Sequence, residues 1–126
     1  MVQKITQGIK VSAKPKFTGF CRYKSTNMHL FSYRLTIENT SKQTVQLISR
    51  NWEIFDALNV KKFVEGNGVL GKNPILTPNE IFSYESHCFL YSHIGAMKGS
   101  YTMSSLENEK LITIEIPTFQ LNTFMS

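Results

Sequence analysis

The sequence contains little of what disulfide scaffolds and membrane proteins require. Only two of its 126 residues are cysteines. No apolar run reaches the roughly 20 residues that a membrane helix needs, and the first residues, Met1 to Gln7, lack the apolar stretch of a secretory signal. We therefore predict a cytoplasmic protein that has no membrane partner and whose cysteines are free thiols.

Acidic residues are absent from the first 37 positions, which contain seven basic residues, whereas the remaining 89 contain seven basic and nine acidic residues. A charge so unevenly placed favours a surface that meets phosphates or an acidic protein. A solvated strand face is the alternative. Few exposed aromatic residues are expected among these basic residues, so we predict no nucleic-acid partner.

Alternation of apolar and polar residues is the main structural signal. Ile9, Val11 and Ala13 alternate with polar residues, as a half-buried strand requires, because successive side chains point to opposite faces. The same alternation predicts a basic face made of Lys10, Lys14 and Lys16.

Similar patterns recur along the chain, and no apolar residues recur at helical spacing. A change of parity near Ile48-Ser49 is interpreted as a β-bulge. Pro117 cannot donate to a strand ladder, so it is expected at a bulge or on a sheet edge. We predict a single all-β domain over residues 1–126, an antiparallel two-sheet sandwich of the immunoglobulin or fibronectin type III kind with about seven to eight strands. The main predicted strands cover residues 9–14, 29–38, 45–55, 60–65, 81–86, 97–104 and 112–116.

One glycine-rich segment matches the G-x-G-x-x-G pattern of dinucleotide-binding loops. That pattern requires a helix to begin directly after it, and Pro74 and Pro78 would interrupt such a helix. We therefore exclude a dinucleotide site. Two interpretations remain, a tight structural turn and a concave anion site made of backbone N–H groups and a lysine. The candidate residues are Gly66, Asn67, Gly68, Gly71 and Lys72.

The residues with ligand or nucleophile chemistry are few and poorly spaced. His87, Cys88 and His93, with Cys21 or His29, show no paired-ligand spacing. We predict no metal site, a buried Cys88 and exposed histidines.

Catalytic groups are equally hard to assign. A nucleophilic Cys88 would need an orienting acid that the sequence does not identify, and no carboxylate pair suits acid–base catalysis. We predict no cofactor, no catalytic residue and no enzymatic activity.

The order Cys21, Trp52, Cys88 resembles that of antibody domains, in which two cysteines form a disulfide over a tryptophan. Cys21 is expected in a loop, so we predict no such disulfide.

Several separated motifs, in order, resemble those of the bacterial ApaG proteins over nearly the whole chain. The motifs are Arg50-Asn51-Trp52, the run 64–74, the segments 76–80, 82–86 and 95–101, and the run 116–121. The resemblance implies a fibronectin type III-like sandwich without an established reaction, associated with cobalt and magnesium tolerance. It also implies a domain shared with eukaryotic F-box proteins and a polymerase-delta-interacting protein. His87 and Ser92-His93 depart from the usual glycine and Thr-Pro of the family.

The sequence therefore predicts a non-enzymatic module that binds another protein, through a sheet edge, a groove beside the glycine loop or the lysine face. A homodimer is one form of this interaction. The alternative function is binding of a phosphate-bearing small molecule or a divalent cation at the glycine loop.

Overall fold

The computed structural model describes residues 1–58 and 61–125, and within them every regular element is a β-strand. The nine strands are β1 (Val2–Thr6), β2 (Ile9–Tyr23), β3 (Thr26–Asn39), β4 (Val45–Asp56), β5 (Lys62–Asn67), β6 (Ile75–Leu76), β7 (Ile81–Leu90), β8 (Ile94–Ser105) and β9 (Leu111–Asn122). No helix long and apolar enough to span a membrane occurs in these residues.

The strands form two antiparallel sheets that pack face to face. Sheet A has the order β1-β2-β3-β7, and sheet B has the order β5-β4-β8-β9 with β6 paired to one end of β4. The predicted all-β, two-sheet immunoglobulin-like architecture is confirmed. The described residues contain nine strands rather than seven or eight because the short strands β1 and β6 have no clear alternation in the sequence.

The predicted strands are confirmed in position, although several are longer than expected. Residues 9–14 begin a strand that runs to Tyr23, so Cys21 lies in β2, and its expected loop position was wrong. The strand expected from Val60 is observed as β5, and Val60 itself lies outside the described residues. Tight turns with positive φ at both central residues join β1 to β2 and β2 to β3, the turn type whose twist matches paired strands.

The bulge predicted near Ile48-Ser49 is present, and Pro117 lies at a bulge, one of its two expected positions. The pairing of β4 with β8 shifts register between Leu47 and Ser49, and β9 shifts against β8 where Pro117 and Thr118 lie between the paired residues Ile116 and Phe119. Each bulge lets apolar side chains on both sides of the shift face the core.

The core lies between the sheets and includes a cluster of aromatic rings. Tyr33 of sheet A lies 5.6 Å from both Trp52 and Phe119 of sheet B, measured between ring centroids. The buried hydroxyls of Tyr84 and Tyr101 form a hydrogen bond of 2.5 Å across the sheets, so each satisfies the other.

The two sides of the sandwich differ. On one side β1 and β2 pack on β9, where Lys4 Nζ lies 2.8 Å from Glu115 Oε2 and the Glu115 N–H donates to Thr6 Oγ1. On the other side β7 ends sheet A and β5 ends sheet B, and a cleft opens between the two sheets there.

Candidate functional site

The glycine-rich loop follows β5 and folds back as a tight turn. Leu70 and Gly71 both have positive φ, and Val69 and Lys72 exchange two backbone hydrogen bonds of 2.9 Å. The Gly68 N–H donates to the Ile48 carbonyl at 2.9 Å. The N–H groups of two predicted site residues, Gly68 and Lys72, are therefore used inside the chain, as is that of Val69 between them.

Few donors of this loop remain available to an anion. The N–H groups of Leu70 and Gly71 have no acceptor among the described residues, and Lys72 is exposed beside them. The Asn67 side chain accepts from Asn73 Nδ2 at 2.8 Å rather than facing an open site. Binding of a phosphate or a cation at this loop stays a prediction, and the geometry favours a structural turn.

The loop closely surrounds one cationic side chain, that of Arg50. Its Nη1 donates to the Asn67 carbonyl at 3.1 Å and to the Gly68 carbonyl at 2.6 Å. A Cβ atom on Gly66 would lie 2.7 Å from the Arg50 Cζ. Glycine at 66 is therefore needed for the guanidinium to lie against the backbone of β5.

Arg50 also lines the cleft on the open side of the sandwich. This cleft has a volume of about 250 Å³. Its walls come from β3, β4, β5, β7 and β8, and its apolar surface includes Trp52, Ile54, Val64 and Met97. We call it the β5–β7 cleft. It combines an apolar floor with the cations Arg50 and Lys62.

Cys88 faces this cleft from β7 and is only 5% exposed. Burial raises the pKa of its thiol from 9.0 to about 12, although the positive charge of Lys62 opposes the shift. The thiol is therefore protonated at neutral pH and a poor nucleophile. Its predicted burial is confirmed.

The candidate metal ligands do not converge. His87 and Cys88 are adjacent on β7, so His87 is exposed on one face while Cys88 enters the core on the other. His93 is exposed as predicted, whereas His29 is half-buried with Nδ1 3.3 Å from the Leu90 carbonyl. The described part of the chain contains no group of three side chains suited to a metal ion.

The predicted basic face lies on β2. Lys14 and Lys16 are exposed and Lys10 is half-buried on the same outer face of sheet A. Lys10 is opposite Glu38 and Lys14 is opposite Arg34 on β3. Binding of a partner at this face stays a prediction.

A larger cavity of about 610 Å³ lies on the outer face of sheet B. Its charged residues include both signs, and Lys98 Nζ lies 3.2 Å from Glu53 Oε2 within it. Its two lysines, Lys4 and Lys98, are both paired with carboxylates, so the described lining offers no unpaired cation, unlike the β5–β7 cleft.

The sequence drew attention to the glycines but not to the side chain they surround. The signal was present, because Arg50 shares the core-facing parity of Trp52 and Ile54 in β4. An arginine at an inward position of a strand is uncommon unless it has a partner. That parity places Arg50 on the inner face of β4, whereas its position in the cleft depends on the order of the strands.

Known proteins share the sequence and the fold. The ApaG domain family model matches residues 22–105. Protein ApaG from Brucella abortus (strain S19) is 39% identical over 122 residues, which cover 97% of this chain and 93% of that protein. The X-ray structure of a Northeast Structural Genomics Consortium target, SoR45, superimposes with a TM-score of 0.86 at 33% identity, covering 93% of this chain and 88% of that one.

A more distant likeness supports the fold alone. The ASH / PapD-like domain of human CEP192 aligns with a TM-score of 0.52 at 10% identity, over all of this chain and 94% of that one. The family model and the ApaG relative cover most of this chain and agree with its motifs. The chain therefore belongs to the ApaG domain family.

Proposed function

We propose that this chain is a non-enzymatic protein-binding module that pairs an extended segment of a partner protein with the free edge of β7. The observation that supports this is the length of that edge. β7 has ten residues and forms the last strand of sheet A. Its outer edge therefore offers a row of backbone donors and acceptors for another strand.

The register of β7 identifies which backbone groups face outward. The Asn39 N–H donates to the Glu80 carbonyl, and the pairing of β3 with β7 continues in the same register to His29 and Leu90. Hydrogen-bonded and non-hydrogen-bonded pairs alternate along an antiparallel ladder. The N–H and C=O groups of Ile81, Ser83, Glu85, His87 and Phe89 therefore point to the free edge.

The other sheet edges are better protected. β1 has five residues and packs on β9, while β5 has six residues, begins with Lys62 and ends in the glycine loop. β9, the other edge of sheet B, contains Pro117 and is contacted by β1 and β2. Short edges and lysines discourage pairing with another chain. β7 contains neither lysine nor proline, so it is the edge best suited to accept a strand.

The test is selection of decapeptides from a random display library, followed by amide hydrogen exchange with a selected peptide. In the free chain we expect fast exchange at the odd-numbered residues of β7 and slow exchange at the even-numbered residues, which bond to β3. Bound peptide should slow the odd-numbered amides at least tenfold, as new hydrogen bonds form.

A substitution at one exposed residue provides the matched control. His87→Pro removes an outward N–H without removing a bond to β3, and edge positions tolerate proline. We expect it to abolish peptide binding, whereas His87→Ala should leave binding unchanged. Protection that appears elsewhere, or pairing only between two copies of this chain in sedimentation, would contradict a heterologous partner at β7.

A further inference from the structure

The Arg50 guanidinium has an unusual charge environment. It is half-buried, and no carboxylate lies within 4.0 Å of it among the described residues. Its hydrogen bonds reach only the neutral carbonyls of Asn67 and Gly68. A partly desolvated charge is unfavourable unless an opposite charge compensates it.

The rest of the β5–β7 cleft does not provide that charge. Its described lining contains no aspartate or glutamate, and the second charged group, Lys62, is also basic. A guanidinium fixed by two backbone contacts presents its remaining N–H groups in a rigid plane, which suits an oxygen anion. The chemistry of the cleft is therefore complementary to an anionic group attached to an apolar one.

The size and position of the cleft restrict the ligand further. Its volume of about 250 Å³ lies below the roughly 300 to 1,000 Å³ of small-molecule sites. Ser86, which lines the cleft, is the sixth of the ten residues of β7 and pairs with Tyr33. A strand paired along the whole of β7 would therefore pass the cleft with an internal residue rather than with its end.

Alternate side chains of such a strand would point toward the cleft, because side chains alternate along a strand. We infer that the segment bound at β7 places the carboxylate of an internal aspartate or glutamate on Arg50, and an apolar side chain two residues away on the apolar floor. This inference rests on the proposed function and names the chemistry of its partner. In this arrangement the carbonyls of the glycine loop hold the Arg50 guanidinium, which recognises the carboxylate.

The experiment uses peptides selected on the full chain and their carboxylate-free counterparts. Selected decapeptides should contain one aspartate or glutamate at a fixed position with an apolar residue two positions away. Replacement of that acid by asparagine or glutamine should weaken binding to the wild-type chain about tenfold, the size expected for loss of a charge-assisted hydrogen bond. Fluorescence anisotropy with labelled peptides measures the ratio.

The Arg50→Ala variant should bind the acidic peptide and its amide counterpart equally. The ratio of the two affinities reports recognition of the acid, because a purely structural loss would weaken the binding of both peptides alike. Because Arg50→Ala also removes contacts to the loop, Lys62→Glu offers a second test at an exposed residue. It should reduce the preference for the acidic peptide, whereas Lys42→Glu, the same charge change outside the cleft, should preserve it.

The outcomes separate the two proposals. Peptides that protect β7 but show no acidic preference would overturn the inference and leave the proposed function intact. An acidic preference that persists in Arg50→Ala would also overturn the inference, and its loss in Lys72→Ala would assign the anion to the glycine turn instead. Failure to select any peptide that protects β7 would overturn the proposed function itself.

Discussion

Gly66 and Gly68 are needed for different reasons, although they belong to one motif. Gly66 leaves room for the Arg50 guanidinium, whereas Gly68 has a φ of 61° and directly faces the backbone carbonyl of Lys72. A flexible side chain can move away from a new Cβ atom, but a carbonyl oxygen held by a tight turn cannot. The two positions should therefore respond differently to substitution.

Substitution of Gly68 by alanine should be strongly destabilising. Its Cβ would overlap the Lys72 oxygen, and the left-handed conformation adds about 1–2 kcal/mol for a non-glycine residue. We expect a loss of about 3 kcal/mol or more in the free energy of unfolding, measured by urea denaturation. Gly71→Ala is the matched control, because its φ is 74° but nothing lies within 4 Å, so it should cost about 1–2 kcal/mol. Equal losses would contradict this assignment.

At the scale of elements, the end of β4 holds the turn between β7 and β8. The Asp56 carboxylate accepts the Tyr91 N–H at 2.7 Å and the Ser92 N–H at 3.1 Å. Ser92 Oγ in turn accepts the Ile94 N–H at 3.0 Å. One carboxylate thus joins the ends of strands from both sheets.

Removal of that carboxylate should loosen the turn. Asp56→Ala leaves three backbone donors, the N–H groups of Leu58, Tyr91 and Ser92, without their acceptor. The loss should lower the free energy of unfolding by about 1–3 kcal/mol. Hydrogen exchange at Tyr91 and Ser92 should accelerate more than exchange in the central strands.

Glu53→Ala on the same strand is the control. Its ion pairs with Lys61 and Lys98 lie at the surface, so we expect a loss below about 1 kcal/mol. Unchanged exchange at residues 91 and 92 in Asp56→Ala would argue against the role of this carboxylate.

Strands were predictable where one face is buried and the other is not. In β3, alternate residues from Phe31 to Ile37 are buried, as their alternation predicts. The bulges were also predictable, because a shift of parity in β4 and a proline in β9 are local signals. β1 was missed since its residues are mostly exposed, and exposed strands have no apolar alternation to reveal them.

At the scale of the whole molecule, the site was harder to predict than the fold. The β5–β7 cleft unites residues from five strands, and their proximity depends on the order of strands in both sheets. Periodicity gives the faces of individual strands but not that order. The pairing of β3 with β7 rather than with β4 is what places Cys88 and Arg50 beside the same opening.

The core contains several ionisable groups whose protons are held by burial. Burial raises the pKa of Cys88 to about 12 and also raises the pKa values of the Tyr33, Tyr84 and Tyr101 hydroxyls. Above pH 9, the unfolded chain releases these protons while the folded chain retains them. Stability therefore falls as pH rises, because the unfolded state binds fewer protons.

We expect the melting temperature to be insensitive to these groups below about pH 9 and to fall between about pH 9 and 12. Circular dichroism melts across this range measure the effect. Cys88→Ala should reduce the slope of melting temperature against pH just above about pH 9. It removes the buried group that loses its proton at a lower pH than the tyrosines in the unfolded chain. Cys21→Ala, which removes a half-buried thiol near the end of β2, should retain that slope. A slope identical in both variants would exclude Cys88 as its source.

The sheet order also has a consequence for how the chain is made. β1, β2 and β3 are joined by tight turns, so this meander can pair as soon as it leaves the ribosome. β7 follows only after β4, β5 and β6, and until then the outer edge of β3 is unpaired. During synthesis, that edge is a docking position for any extended segment nearby, and β7 must compete for it.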